Sequence, residues 1–203
     1  MSVIIAGIHT GIGKTICSAV ICQALGYDYW KLVQAGDLEN SDSVFIQKNV
    51  SNPLCTIHPE AYRLSIPASP HYAAEVDGIT IVRSNINLPA SNNNIVVETA
   101  GGIMSPLAYN YLNIDLIEQL SIPVLLVSNN YLGSINHTLL SIAALKQRNI
   151  FLKGIVFSGE SNPATESFIR QYSDIPILFS IPVLSEINAT SIDNFTKQFS
   201  INI

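Results

Sequence analysis

Six short stretches of this chain are built for burial on both faces. Val3–Ala6, Tyr29–Val33, Ile95–Val97, Val124–Val127, Gly154–Phe157 and Ile177–Ser180 carry few polar side chains. A strand with one wet face alternates polar and apolar residues, whereas a strand covered above and below does not. Helical spacing of apolar residues runs over Thr15–Leu25, with Gly26 placed as its C-cap, and over Ile135–Arg148 and Thr165–Tyr172. A further helix is expected at Glu39–Gln47, starting near Asp37. This alternation predicts βαβ units and so an α/β fold, a mostly parallel sheet with helices on both faces. At 203 residues the chain is expected to form a single domain, 1–203.

The composition agrees. Hydrophobic residues make up 48% and charged residues only 12%, against roughly 25% charged in an average soluble domain. Disorder is excluded, because it needs low hydrophobicity and high charge. The richest apolar run, Ile122–Val127, is far shorter than the roughly 18 residues of a membrane span and contains Pro123. The net charge is −5 and the ten basic residues are scattered singly, so no basic stripe for nucleic acid is present. Cys17, Cys22 and Cys55 form no C-x-x-C pair and no cluster with the histidines. An odd count without a framework predicts reduced thiols and a cytoplasmic setting. The first residues lack the features of a secretory signal. Ser51–Pro70 reads as a long loop and Asn85–Asn94 as a turn region.

The segment Gly7-Ile8-His9-Thr10-Gly11-Ile12-Gly13-Lys14-Thr15 follows the first strand and opens the first helix, which is the context of a phosphate-binding loop. Gly11 and Gly13 leave room for backbone N–H groups to face phosphate oxygens, and the helix N-terminus adds partial positive charge. Lys14 can reach β- and γ-phosphates, and the Thr15 hydroxyl can ligate Mg²⁺. The strict G-x₄-G-K-[ST] spacing is missed by one residue, since Gly7 lies six before Gly13. Glu98 ends an apolar run ahead of Thr99-Ala100-Gly101-Gly102. At a strand's C-terminal end it is either a Mg²⁺ ligand or a solvated loop acid. Asp37, Glu39 and Asp42 follow the second strand, and one of them could complete a Mg²⁺ site. Lys31 lies inside an apolar strand. It is either an edge lysine facing water or a second cation for a transferring phosphoryl group.

Taken together, Gly7–Thr15, Lys31–Gly36, Ser41-Asp42, Val97–Gly102, Leu132–His137, Gly154–Gly159 and Ile181–Leu184 resemble the dethiobiotin synthetase family over nearly the whole chain. The longer phosphate loop is that family's own form. The resemblance implies a P-loop NTPase-type fold and an ATP- and Mg²⁺-dependent ligase of biotin biosynthesis. Its substrates would be diaminopelargonic acid, CO₂ or bicarbonate, and ATP. An amine carbamate attacks the γ-phosphate, and the second amine then closes the ureido ring of dethiobiotin. It further implies Lys31 and Lys14 as catalytic cations and Thr15, Asp42 and Glu98 as metal ligands. Implied nucleotide contacts come from Gly11, Ile12, Gly13, Lys14, Thr15, Ile16, Asp42, Glu98, Thr99, Ala100 and Gly101. Ser158, Gly159, Pro182, Val183 and Leu184 would form the adenine pocket. Thr10, Lys31 and Ala35 would face the diamine, and Gly133, Ser134, Ile135 and Asn136 its carboxylate tail across a homodimer interface. No nucleic-acid or membrane partner is implied.

The chain departs from the family pattern at Gly11 and His9, where acids are frequent, at Leu32 for proline, at Ala35 for a hydroxyl residue and at Ser158 for asparagine. Two other readings compete. A ParA/MinD-like nucleotide switch would carry a further lysine where Ile8 and His9 stand, and a membrane-seeking version would need a basic tail, whereas Asp193–Ile203 has only Lys197 as a cation. A nucleotide-binding paralogue that has lost the reaction would retain the phosphate residues but not the altered contacts at Ala35 and Ser158. Serine offers one hydroxyl in place of an amide's acceptor and two donors, so nucleotide preference is expected to be relaxed. Rates with ATP, GTP and CTP should be of similar order; an ATP advantage of several orders of magnitude would contradict this.

Overall fold

A computed structural model describes residues 1–198, 201 and 203. In chain order, β1 (Val3–Gly7), α1 (Lys14–Leu25), β2 (Asp28–Lys31), β3 (Val33–Ala35), α2 (Asp42–Asn49), β4 (Ile57–His58), β5 (Tyr62–Leu64) and α3 (Pro70–Val76) form the first half. The second half is β6 (Ile95–Gly102), β7 (Pro106–Ala108), β8 (Tyr111–Leu112), α4 (Asn113–Leu120), β9 (Val124–Ser128), α5 (Ser134–Gln147), β10 (Leu152–Ser158), α6 (Pro163–Ser173), β11 (Ile177–Ile181) and α7 (Ala189–Gln198). Seven strands make one sheet in the order β11-β10-β9-β1-β6-β2-β4, and all six pairings in it are parallel.

The uniformly apolar strands are explained by two cores, one on each face. Ile4 and Ala6 of β1 join Val97, Leu126 and Ile155 under α4, α5 and α6. Val3 and Ile5 join Val96, Leu125 and Val156 under α1, α2 and α7. From β1 the chain winds outward in both directions, through β2 on one side and β9–β11 on the other. The C-terminal end of β1 is therefore the topological switch point, where open α/β sheets bind ligands.

Five expectations need correction. The strand expected at Tyr29–Val33 breaks at Leu32, so Lys31 ends β2 inside the main sheet while β3 pairs with β5 in a separate two-stranded sheet. Lys31 is not an edge lysine: β2 is flanked by β6 and β4, and its side chain is buried. The helix expected from Asp37 begins at Asp42, where the Ser41 hydroxyl accepts from the Val44 N–H as N-cap; residues 38–40 form one 3₁₀ turn after Asp37, whose φ is +48°. The strand of Ile95–Val97 does not stop at Glu98 but runs to Gly102. The stretch read as a loop, Ser51–Pro70, also holds β4 and β5. Of the tail at Asp193–Ile203, the part to Gln198 is helical, and residues 199, 200 and 202 lie outside the described residues.

At the opposite end of the sheet Asp28 anchors the start of β2. Its buried carboxylate accepts from Thr56 N at 3.0 Å, Ser91 Oγ at 2.7 Å and Asn93 Nδ2 at 3.1 Å, and pairs with His58 Nε2 at 2.9 Å. Burial pushes its pKa up, but these bonds outweigh burial and hold it below the ordinary carboxylate range. A carboxylate lowered in the folded state stabilises above the unfolded-state value and loses that contribution as pH falls through the folded one. Asp28→Asn should destabilise by about 1–3 kcal/mol at neutral pH, and the gap to the unsubstituted chain should narrow in urea melts near pH 3.

Candidate active site

The turn from β1 into α1 requires two glycines. Gly11 and Gly13 hold φ of +72° and +94°, the left-handed region that side chains rarely adopt. A Cβ on Gly13 would also lie 2.2 Å from Ser158 Oγ, so β10 closes on the loop from below. The 12-residue helix α1 begins at Lys14 and directs its positive dipole end to the same place. Lys14 Nζ donates to the His9 carbonyl at 3.0 Å, spanning the loop. Burial and the neighbouring Lys31 lower the Lys14 pKa to about 8.

Glu98 sits at the centre. Lys31 and Glu98 are cross-strand partners on β2 and β6. The Glu98 carboxylate is buried and faces four donors: Thr15 Oγ1 at 2.9 Å, Ser18 Oγ at 2.8 Å, Tyr29 Oη at 3.0 Å and Lys31 Nζ at 3.0 Å. Lys31 Nζ also pairs with Asp42 Oδ2 at 2.5 Å and donates to the Thr99 carbonyl at 3.3 Å. Burial alone would lower the Lys31 pKa, but Glu98 and Asp42 outweigh it and hold the ammonium above its ordinary value. Lys31 in turn outweighs burial at Asp42 and lowers that carboxyl. Tyr29 is pushed well above its ordinary value by burial and by Glu98, so it stays a neutral donor.

These residues line a cleft of about 690 Å³. Thr10, Gly11, Ile12, Gly13, Lys14, Thr15 and Ile16 form one wall, and Lys31, Ala35, Asp42, Glu98, Ala100 and Gly101 another. Thr10 faces Gly101, where a Cβ would lie 3.4 Å from its hydroxyl.

The donor set suits a hard divalent cation. Thr15 Oγ1 lies 2.9 Å from both Asp42 Oδ1 and Glu98 Oε1, yet one hydroxyl has one proton to give. One of the two contacts is therefore oxygen against oxygen, which a cation would relieve. Among the described residues no group of three or more His, Cys, Asp or Glu forms a metal cage. Mg²⁺ does not need one, since it takes one or two carboxylates and completes its shell with water and phosphate.

The family described as "AAA domain" matches residues 1–191. A protein of Christiangramia forsetii named ATP-dependent dethiobiotin synthetase BioD is 49% identical over 177 residues, 87% of this chain and 85% of that one. The same-named protein of Chlamydia pneumoniae is 42% identical over 197 residues, 97% of this chain and 88% of the relative. The chain belongs to the dethiobiotin synthetase family. Among solved structures, a ParA family ATPase from Chlorobium tepidum superposes with a TM-score of 0.60 over 98% of this chain and 99% of the other at 13% identity, which shows the fold alone. Like that ATPase, the dethiobiotin synthetase-family chain has the P-loop architecture of its sheet and first helix.

Other residues that the sequence singled out lie outside the cleft walls. Thr99 is buried, its hydroxyl donating to the Ile5 carbonyl at 3.3 Å. Ser158 ends β10 and Gly159 follows it, with Gly159 N bonded to the Ile181 carbonyl at 2.8 Å, and Pro182–Leu184 follow β11. Gly133–Asn136 lie at the start of α5 beyond β9, next to a fully exposed Leu132. Asp37 and Glu39 stay out of the cluster, since the 3₁₀ turn carries them past it.

Four participants had no signal of their own. Ser18 lies within a stretch of helical spacing and Tyr29 within an apolar run, and only the meeting of α1, β2 and β6 brings their hydroxyls to Glu98. Gln34 accepts from the Asp42 N–H at 3.2 Å and so holds the start of α2 over the cleft. Pro67, Ala68, Ser69 and Pro70, which lead into α3 from the segment read as a loop, also line the cleft.

Glu98→Gln replaces a charge facing Lys31 by an amide that must point one NH₂ at donors. The loss should be about 3–5 kcal/mol of stability, the usual result of leaving a buried ionic partner unpaired. Urea denaturation at pH 7 is the measurement; a change below about 1 kcal/mol would remove Glu98 from the centre of the site.

Proposed function

We propose that the chain catalyses the ATP-dependent closure of the ureido ring of dethiobiotin from diaminopelargonic acid and CO₂, a reading supported by relatives that are named ATP-dependent dethiobiotin synthetase. The observation that carries this reading is the placement of Lys31. A buried ammonium held by Glu98 and Asp42 stands across one cleft from the phosphate loop. A purely structural lysine would not need the open cleft, and a phosphate loop alone would not need a second buried cation.

The reaction joins two anions, a carbamate and the γ-phosphate, so its barrier is chiefly electrostatic. The loop and Lys14 would hold the β- and γ-phosphates, and Lys31 would sit against the carbamate and the phosphoryl oxygens. A carbamate oxygen attacks the γ-phosphorus, the bond to the β-phosphate oxygen breaks and ADP leaves. The second amine then attacks the activated carbonyl carbon, and phosphate departs with that oxygen. Thr15, Asp42 and Glu98 would hold Mg²⁺, which supplies charge to neutralise the phosphates. Thr10 and the wall at Ala35 would set the diamine; with a methyl at Ala35, orientation rests on fewer polar contacts than a hydroxyl would give.

The remaining assignments are part of the same reading. Ser158, Gly159 and Pro182–Leu184 would flank the base, on the side of the loop away from Lys31. Gly133–Asn136 would take the substrate carboxylate at the N-terminus of α5. The exposed Leu132 beside it supports a homodimer with the site at the interface. Three free cysteines support a reducing, cytoplasmic setting, and among the described residues no helix is long and apolar enough to cross a membrane.

With Mg²⁺·ATP, phosphate release should require both diaminopelargonic acid and bicarbonate. Phosphate formed from [¹⁸O]bicarbonate should carry one labelled oxygen per molecule. Diamine-independent release, or phosphate labelled only from water, would overturn the reading and favour the switch or a paralogue without the reaction.

A further inference from the structure

The cleft has a polar wall beyond the cluster around Glu98. The chain turns at Gly101, whose φ is +73°, and passes through Ser105 into β7. Ser105, Thr10 and Gly101 line the cleft together. A Cβ on Gly101 would lie 2.6 Å from Ser105 Oγ and 3.4 Å from Thr10 Oγ1. The glycine therefore leaves a gap that both hydroxyls border.

Ser105 is held firmly, and its proton takes no part in holding it. The buried Asn113 at the start of α4 donates through Nδ2 to the Ala100 carbonyl at 2.5 Å and the Gly102 carbonyl at 2.8 Å. Its backbone N–H donates to the Ser105 carbonyl at 3.0 Å, and Ile103 N donates to the Gly7 carbonyl at 3.1 Å, which ties the turn to the end of β1. Ser105 Oγ accepts from Gly102 N at 2.9 Å. A hydroxyl has one proton and two lone pairs, so one lone pair and the proton are left. Among the described residues nothing engages them, and the Thr10 hydroxyl also makes no hydrogen bond. Ala35, on the same cleft, offers only a methyl.

We propose that Ser105 is a substrate-binding residue whose Oγ accepts an N–H from the amine that closes the ring, in the gap it shares with Thr10 over Gly101. This rests on the ring-closing reading. The attacking amine must be neutral and must keep its lone pair directed at the activated carbonyl carbon. A hydroxyl that accepts one of its N–H bonds orients the nitrogen and leaves that lone pair free. A carboxylate at the same place would favour the ammonium form, which cannot attack. Ser105 thereby supplies a polar contact that the methyl of Ala35 does not.

Ser105→Ala removes this contact and also the acceptor for Gly102 N. A loosened turn would weaken every ligand of the cleft, whereas a lost substrate contact weakens only ligands that carry the contacted amine. The two monoamine analogues of diaminopelargonic acid, each lacking one amino group, separate these causes.

The test measures phosphate release by the whole chain with the diamine varied at saturating bicarbonate and Mg²⁺·ATP. In Ser105→Ala, kcat/KM for the diamine should fall about tenfold, the worth of one hydrogen bond, while KM for ATP stays within about twofold. Ser105→Thr, which keeps the hydroxyl, should restore most of the loss. As competitive inhibitors, one monoamine should bind Ser105→Ala about tenfold more weakly than the unsubstituted chain, and the other should bind both equally. An unchanged kcat/KM in Ser105→Ala would overturn the proposal and leave the ring-closing reading standing. So would equal weakening of both monoamines, or a KM for ATP that rises in step. An unsubstituted chain that releases no phosphate in response to the diamine would overturn the ring-closing reading itself, and this proposal with it.

Discussion

The site depends on one buried carboxylate. Glu98, near the middle of β6, faces two helical hydroxyls of α1 and accepts hydrogen bonds from the phenol of Tyr29 and the ammonium of Lys31. An ionised carboxylate this deep is tolerable only when its lone pairs are met by donors and a counter-charge. Meeting that demand fixes three elements at once: the first turn of α1, the end of β2 and the strand between them. Asp42 then joins from α2, drawn by Lys31 and held by Gln34. In the proposed reaction, what satisfies a burial requirement would also preorganise a cation and metal-ligating oxygens beside the phosphate loop, leaving little reorganisation for the moment of phosphoryl transfer.

The sheet makes this arrangement possible. Helices on both faces exclude water from the strand bodies, so polar chemistry is pushed to the strand ends. The chain accordingly spends few charges. Of the six charged residues up to Asp42, Lys14, Lys31 and Asp42 lie in the cleft, and Asp28 anchors the opposite end of β2. The order of strands, with β1 flanked by β6 and β9, opens the cleft toward Lys31 on one side and leaves Ser158 against the loop on the other.

Much of this was legible in the sequence because the signals were local. Doubly apolar runs predict buried strands, and the loop between Gly7 and Thr15 declares its own context. The parts that were not legible depend on register or on small departures from regularity. The break at Leu32 separates Lys31 from Val33 and moves the following residues into a second sheet, yet no residue type there announces a break. Glu98 reads as a strand terminus because acids are poor strand formers, whereas four donors from other elements let the strand continue to Gly102. Ser18 and Tyr29 carry no catalytic signature, and only the spatial meeting of α1, β2 and β6 gives them their partner. Asp37 and Glu39 compete on equal terms with Asp42 in sequence; the N-cap at Ser41 decides among them by starting α2 so that Asp42 faces the cleft.

In the proposed reaction the carboxylate-held Lys31 would act on the transferring phosphoryl group rather than merely fill a buried ion pair. The most direct measurement compares Lys31→Ala with the unsubstituted chain for turnover and for nucleotide affinity, at a temperature where both are folded. The account predicts that kcat falls by about 100-fold or more while nucleotide affinity stays within a factor of about three. An unchanged kcat, or an affinity that collapses together with kcat, would contradict it.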